Sequence, residues 1–295
     1  MSDTLESLRR KINGATDLES VVRTMKVLAA SNIIQFEKAV ISLADYYRTV
    51  ELGLLVCFRQ GAQFSMNENL IKSKNKTIGA IVFGSDQGLV GQFNDILSEF
   101  AGKTLDNLPG EKLIWSVGDR IKARLEDTGL PLAGLLSVPN SVNTITPVIG
   151  QILLECESYQ ERGEISELYI FHNKPKPGAL YEPFVQRLLP LDQKWFSSVA
   201  QLKWPTYYIP EAINGVVPTL HGLIRQYLFV TLFRACAESL ASENASRLAA
   251  MQRAEKNIDE LLEDLNRSYH RLRQSTIDEE LFDVISGSEA LSRDK

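Results

Sequence analysis

After Pro218 the chain has no further proline, and between Gly222 and Gly287 it has no glycine. The stretch from Pro218 to Ile285 therefore reads as one helix, about 100 Å long at the usual rise of 1.5 Å per residue. A compact domain cannot wrap a helix of that length, so it needs a partner. Met251, Ile258, Leu265 and Leu272 recur every seven residues, and Ala254 and Leu261 fall between them, which is the seam of a coiled coil.

Residues Leu5 to about Cys57 offer the partner. Leu5, Ile12, Ile33, Val40 and Tyr47 share one seam position, and Leu8, Ala15, Val22, Ala29, Phe36 and Leu43 share the other. Glu19 and Lys26 interrupt the first series. Asn13-Gly14 followed by Thr16-Asp17 carries a stop-and-restart signal, so a kink or weakened turn is expected there. Both long helices leave the same intervening segment, and the economical arrangement is an antiparallel pair.

That segment changes period. TIGAIVF (Thr77 to Phe83) is an apolar run of strand length, followed by a glycine-bearing turn from Gly84 to Gly91 and a helix from Phe93 to about Leu105. Lys112 to Val117 predicts a second strand with a helix over Asp119 to Asp127. Leu132 to Val138 predicts a third, with a helix from about Thr144 to Glu161. Leu168 to Asn173 predicts a fourth, ended by the loop signal Lys174-Pro175-Lys176-Pro177-Gly178, and Glu182 to Leu189 alternates like an edge strand. Strands alternating with helices imply a mostly parallel, helix-covered sheet. The expected organisation is an α/β chain with a long antiparallel two-helix coiled coil and an inserted Rossmann-like α/β domain. Its parts are helix 1–58, linker 59–76, α/β domain 77–210 and helix 211–295.

A formal charge of -5 and a pI near 5.4 argue against nucleic acid as the main partner. Cys57, Cys156 and Cys236 are far apart and odd in number, which suggests neither a disulfide framework nor a zinc site and fits a reducing setting. No consecutive apolar run approaches the roughly 20 residues of a membrane span, and no secretion signal or transit peptide is visible. A bacterial or archaeal protein, or a trimmed mature form, is expected.

SDQGLVGQFN (Ser85 to Asn94) follows a strand and opens a helix, where phosphates bind. Its spacing, GxxxGxxG from Gly84, is neither a dinucleotide fingerprint nor a P-loop. A tight turn with close packing is the plainer reading, with Asp86 accepting from the turn's own backbone. His172, His221 and His270 lie in separate segments without metal-ligand spacing, and the serines have no nucleophile context. No catalytic, cofactor or metal site is expected. Asp278, Glu279, Glu280 and Asp283 make an acidic end, and Arg9, Arg10, Lys11, Arg267, Arg271 and Arg273 a cationic collar beside it. Two explanations of the collar stay open: salt-bridging within the helices, or a protein partner with acidic loops.

These residues resemble the gamma subunit of the rotary F-type ATP synthase over essentially the whole chain. The C-terminal block carries most of the likeness: Ser242-Glu243, Arg247 to Met251, Ala254, Asn257, Leu265, Tyr269, Arg273-Gln274, Ile277, Gly287 and Ala290-Leu291. Arg10-Lys11-Ile12, Met25-Lys26-Val27 and Ala29-Ala30 form the N-terminal block, and Ser85 to Gly91 with Asn94 the middle one. Leu188 to Leu191 and Tyr208 to Glu211 also match. Asp17, Glu19, Asn32, Gln87 and Val90 depart from the family's usual residues, which implies a divergent paralogue such as the alternate, sodium-coupled type.

The resemblance implies a non-catalytic central-stalk rotor turning inside three alpha and three beta subunits. Its α/β domain would sit with the epsilon subunit and the membrane c-ring, peripheral on the cytoplasmic side of the membrane. It further implies shaft contacts at Met25, Lys26, Arg247, Arg273, Gln274 and Thr276, and a structural turn at Ser85, Asp86, Gly88 and Gly91. With Met25 beside Arg247, antiparallel register predicts Glu19 near Arg253 and Lys26 near Glu243. Two rivals to the rotor remain: a nucleotide-binding Rossmann-like enzyme and a stand-alone coiled-coil adaptor.

Overall fold

The computed structural model describes residues 4–60, 77–191, 193–213 and 215–293, with the backbone alone at 193–194 and 286–293. From residue 61 on, the expected linker lies outside the described residues, as do the side chains of Ala290 and Leu291. Among the described residues eleven elements follow one another: α1 (Leu5–Arg59), β1 (Ile78–Phe83), α2 (Phe93–Asp106), β2 (Lys112–Val117), α3 (Asp119–Asp127), β3 (Leu132–Leu136), α4 (Val142–Glu161), β4 (Glu167–Lys176), β5 (Ala179–Leu189), α5 (Gln193–Ala200) and α6 (Val216–Arg293). They form two compact units, one of residues 29–247 and one of residues 1–28 with 248–295.

The larger unit holds a five-stranded sheet in the order β3-β2-β1-β4-β5. β1 to β4 are parallel, and β5 returns antiparallel to β4 at one edge. β1 is buried at all six positions because both faces of the sheet are covered, which is why it reads as an apolar run without alternation. On one face Ala80, Val82, Leu97, Ala101, Leu105, Ile121 and Leu125 pack α2 and α3 onto the sheet. On the other, Ile81, Phe83 and Ile170 meet Leu54, Leu232, Cys236 and Leu240 from α1 and α6.

Two expectations about this unit are corrected. The Lys174 to Gly178 stretch is not a loop: β4 runs on to Lys176, which pairs with Ala179. Only Pro177 and Gly178 turn, Gly178 at φ +81°, and Pro175 sits where the ladder shifts register, so its missing N–H breaks no pairing. The helix α5 had no counterpart in the periodicity. It is held by aromatic contacts, with Phe58 edge-on to Trp195 and Phe196 and the Trp195 ring 4.6 Å from that of Tyr227.

In the smaller unit the α1 seam is as expected. Leu8, Ala15 and Val22 are buried, and Leu5, Ile12, Glu19 and Lys26 are half-buried. Gly14 does not interrupt the helix, because the i to i-4 ladder continues through it. On α6, Met251 is buried and Ile258, Leu265 and Leu272 are half-buried, but the second rail is corrected. Ala254 is half-buried as expected, but Leu261 is 50% exposed, and the other covered positions are Glu255, Leu262, Tyr269 and Thr276. Seam positions step alternately by three and four residues. Counting back from Ile258 and Leu265 by three gives that series. Polar Lys26 on one rail thus meets polar Glu255 on the other. By composition, α1 and α6 each contain an 18-residue window with mean hydropathy high enough to cross a membrane, although neither holds a consecutive apolar run of that length. In α6, 44% of that window is buried inside the fold, as in a core helix.

Candidate functional site

The turn after β1 is built by its own polar side chains. Asn94, buried at the start of α2, accepts from the Ser85 N–H at 3.1 Å and donates to Ser85 Oγ at 2.8 Å, while Ser85 Oγ donates to Gln87 O at 2.9 Å. Gly84 has no room for a side chain, since a Cβ there would lie 2.2 Å from Ile121 Cβ. Gly91 adopts φ +58°, the left-handed region that suits glycine, whereas Gly88 is open to solvent-side space.

The expectation that Asp86 accepts from its own turn is corrected: it accepts from two others. Its Oδ1 accepts the Asp119 N–H and its Oδ2 the Val138 N–H, both at 3.0 Å. One carboxylate therefore caps α3 and ties the ends of β1, β2 and β3 together. The N-terminus of α3, not that of α2, is occupied by the chain's own anion. Because the donors are 33 and 52 residues away, only the folded sheet brings them to Asp86.

A cavity of about 230 Å³ opens beside this turn, lined by Asp86, Gln87, Asn140, Asn32 and, from α6, Glu243 and Arg247. Arg247 Nη2 donates to Glu243 Oε1 at 2.5 Å and its Nη1 lies 3.4 Å from Asn244 Oδ1. Both side chains are largely buried, 13% and 7% exposed. Burial pushes the Glu243 carboxyl above the usual carboxylate range, although Arg247 pulls the other way. Nearby, Ser246 Oγ donates to Val90 O at 2.5 Å and Ser239 Oγ to Phe83 O at 3.0 Å, fixing α6 to the turn. His172 is buried against Glu238 at 2.9 Å. Burial holds the imidazole below its ordinary pKa. Burial also raises the Glu238 carboxyl, but hydrogen bonds from His172 and Arg234 outweigh it and leave it low.

In the smaller unit four charges form a chain across the seam. Arg23 pairs with Glu19 one turn away and reaches Glu255 at 3.4 Å, and Lys26 Nζ donates to Glu255 at 2.5 Å. The predicted pairs Glu19 with Arg253 and Lys26 with Glu243 are therefore replaced. A residue four positions along the same helix lies within easy reach of Glu19, and the register sets Glu255 opposite Lys26. The hydrogen bond from Lys26, with help from Arg23, holds the Glu255 carboxyl below its ordinary value.

The other expected shaft residues are placed as follows. Met25 is half-buried in the smaller unit, while Arg247 belongs to the larger one. Arg273 and Gln274 are exposed, and Thr276 is half-buried on the seam, donating to Leu272 O at 3.0 Å. In the cationic collar, Arg10 pairs with Glu6 at 2.6 Å, and Arg267 pairs with Glu263 at 3.5 Å and Asp264 at 3.3 Å. Arg9, Arg271 and Arg273 are exposed. The acidic end at Asp278, Glu279, Glu280 and Asp283 is exposed as well, yet it alternates with apolar residues that charge counting overlooks. Ile277, Leu281, Phe282 and Val284 are 51%, 58%, 67% and 70% exposed. Those residues continue past the last covered seam position, Thr276, and that break in the seam was the signal available.

Among known proteins, the family model described as ATP synthase matches residues 4–291. The ATP synthase gamma chain of Clostridium pasteurianum is 29% identical over 296 residues, spanning 98% of this chain and 99% of that one. The gamma chain of Buchnera aphidicola subsp. Schizaphis graminum is 26% identical over 297 residues, with 98% and 99% covered. In fold, this chain is similar to a chain in the rotor of the Euglena gracilis mitochondrial ATP synthase. The TM-score is 0.62 at 15% identity, over 92% of this chain and 98% of that one. Continuous likeness from end to end, joined to two long helices that flank a mixed sheet, settles the relationship: the chain belongs to the ATP synthase family, in which these relatives are gamma chains.

Proposed function

We propose that this chain is the non-catalytic central-stalk rotor of a rotary ATP synthase, turning inside alpha and beta subunits and carried below by epsilon and the membrane c-ring. The observation that supports this most is the pairing of residues 1–28 with 248–295, the outer parts of the first and last helices, into a unit distinct from the one that holds the sheet. A two-helix rod has no three-fold symmetry. Three identical beta subunits around it would each meet a different face, and each face would favour a different beta conformation. Rotation permutes those preferences. By reciprocity, nucleotide binding and hydrolysis at the beta sites push back on the shaft angle.

Met25, Lys26, Arg247, Arg273, Gln274 and Thr276 are the proposed shaft contacts, and Ser85, Asp86, Gly88 and Gly91 the proposed structural turn. Arg273 and Gln274 are ready on the surface, whereas Lys26 and Arg247 are engaged by Glu255 and Glu243. The complex would lie on the cytoplasmic side of a bacterial or archaeal membrane, the chain itself being peripheral. A nucleotide-binding enzyme is the weaker reading, because the turn that opens α2 has neither dinucleotide nor P-loop spacing and is closed by its own Ser85 and Asn94 hydrogen bonds.

Co-expression with the alpha and beta subunits of the same cell tests the proposal. Co-purification in a three-to-three-to-one complex is expected. Loss of ion pumping on truncation after Asp278, with ATP hydrolysis retained, is also expected. A chain that self-associates and never enters the alpha/beta complex would refute the proposal.

A further inference from the structure

The Glu243–Arg247 pair is a salt bridge left half made. A guanidinium and a carboxylate facing each other can form two parallel hydrogen bonds, but here there is one, between Nη2 and Oε1. Glu243 Oε2 and Arg247 Nε are both buried without a partner. Beside them lies the cavity of about 230 Å³, so the arginine has room to leave. Its second contact, to Asn244 Oδ1 at 3.4 Å, is long, and Asn244 is committed elsewhere: it donates to Leu240 O at 2.8 Å and accepts from Asn32 at 3.3 Å. Asp86, the other carboxylate lining the cavity, is engaged by one backbone N–H on each oxygen.

We propose that Glu243 is a positioning residue that holds Arg247 folded against α6 and releases it, through the adjoining cavity, to a carboxylate on a partner subunit. This rests on the reading of Arg247 as a shaft contact. A long cation free in solution would sample many rotamers and lose that entropy on docking. A weakly held one starts near a defined position and is exchanged from one carboxylate to another. Glu243 competes with the partner for the same guanidinium and so sets how readily the contact is made.

The test reads Arg247 directly. The isolated full chain is treated with an arginine-selective dicarbonyl, and modification at Arg247 and at Arg234, paired with Glu238 and serving as control, is followed by peptide mass. Glu243→Gln is expected to speed modification of Arg247 about fivefold, the scale for loss of one partly screened charge-assisted hydrogen bond. Glu243→Asp, which keeps the charge but stretches the bond, should fall between it and the wild type. Arg234 should not change. Should Glu243→Gln lose its melting transition, the Glu243→Asp rate decides. Rates equal to wild type in folded variants, or equal acceleration at Arg234, overturn the proposal. In the assembled complex, Arg247→Ala should change coupling, and Glu243→Gln should add nothing to it in the double variant. Additive effects also overturn the proposal. If Arg247→Ala leaves coupling untouched, the shaft-contact reading fails while the dicarbonyl rates still judge the hold on Arg247.

Discussion

Replacing Asp86 by alanine should loosen three strand ends at once. Its Oδ1 caps α3 through the Asp119 N–H, and such a cap contributes about 1 kcal/mol. Its Oδ2 satisfies the Val138 N–H, part-buried after β3, and losing that charge-assisted bond costs about 1 kcal/mol more. Asp86→Ala should therefore destabilise the larger unit by about 2 kcal/mol. Asp86→Asn, with one acceptor oxygen left, should lose about half as much. All three tryptophans, Trp115, Trp195 and Trp204, lie in residues 29–247, so urea unfolding followed by their fluorescence reports that unit alone. For a slope of about 3 kcal/mol/M, the alanine variant's midpoint should fall by roughly 0.7 M. A midpoint within about 0.2 M of wild type at unchanged slope would show that the carboxylate does not hold the strand ends.

Three further outcomes are expected. Gly84→Ala should cost about 3 kcal/mol or prevent folding, because its Cβ would collide with Ile121, while Gly88→Ala, with nothing closer than Arg120 at 3.9 Å, should stay within about 0.5 kcal/mol by the same unfolding assay. Leu262→Ala should lower the helical melting temperature of the chain by far more than Leu261→Ala, since only Leu262 is covered; equal effects would mean a different register. Glu255 has its carboxyl held below the ordinary 4.5, so its contribution is present above that value and lost as pH falls through the lower folded value. Wild type and Glu255→Gln should thus converge in stability in acid and separate above pH ~5, and the absence of any separation at neutral pH would discount the Lys26 and Arg23 contacts.

How far the sequence could be read depended on the distance over which each feature is decided. β2 and α3 were legible to the residue because an apolar run, Gly118 and an amphipathic nine-residue helix all act locally. The α1 seam was legible because its heptads are nearly unbroken. Leu261 was mistaken for Leu262 because both are leucines side by side, and only the partner helix distinguishes the covered one. Pro175 misled because proline signals a loop, whereas a shift in strand register accommodates it. The site depended on long-range placement. Asp86 meets donors from two later turns, and Lys26 finds Glu255, 229 residues on. Nothing near either residue names those partners. The hold of Glu243 on Arg247 was within reach, being a four-residue helical spacing, but its burial was not.

The smaller unit joins residues 1–28 to residues 248–295. A ribosome therefore releases one half of it about 220 residues before the other exists. At ~5–20 residues per second that interval lasts on the order of ten to forty seconds. Throughout it Leu8, Ala15 and Val22 have no seam to close on, and the larger unit, which needs α6 as far as Arg247, is incomplete as well. Until residues 248–295 emerge, residues 1–28 of the nascent chain carry an uncovered apolar helix face. A rotor assembled from its two extremities is vulnerable to aggregation while it is being made and protected once its last segment emerges.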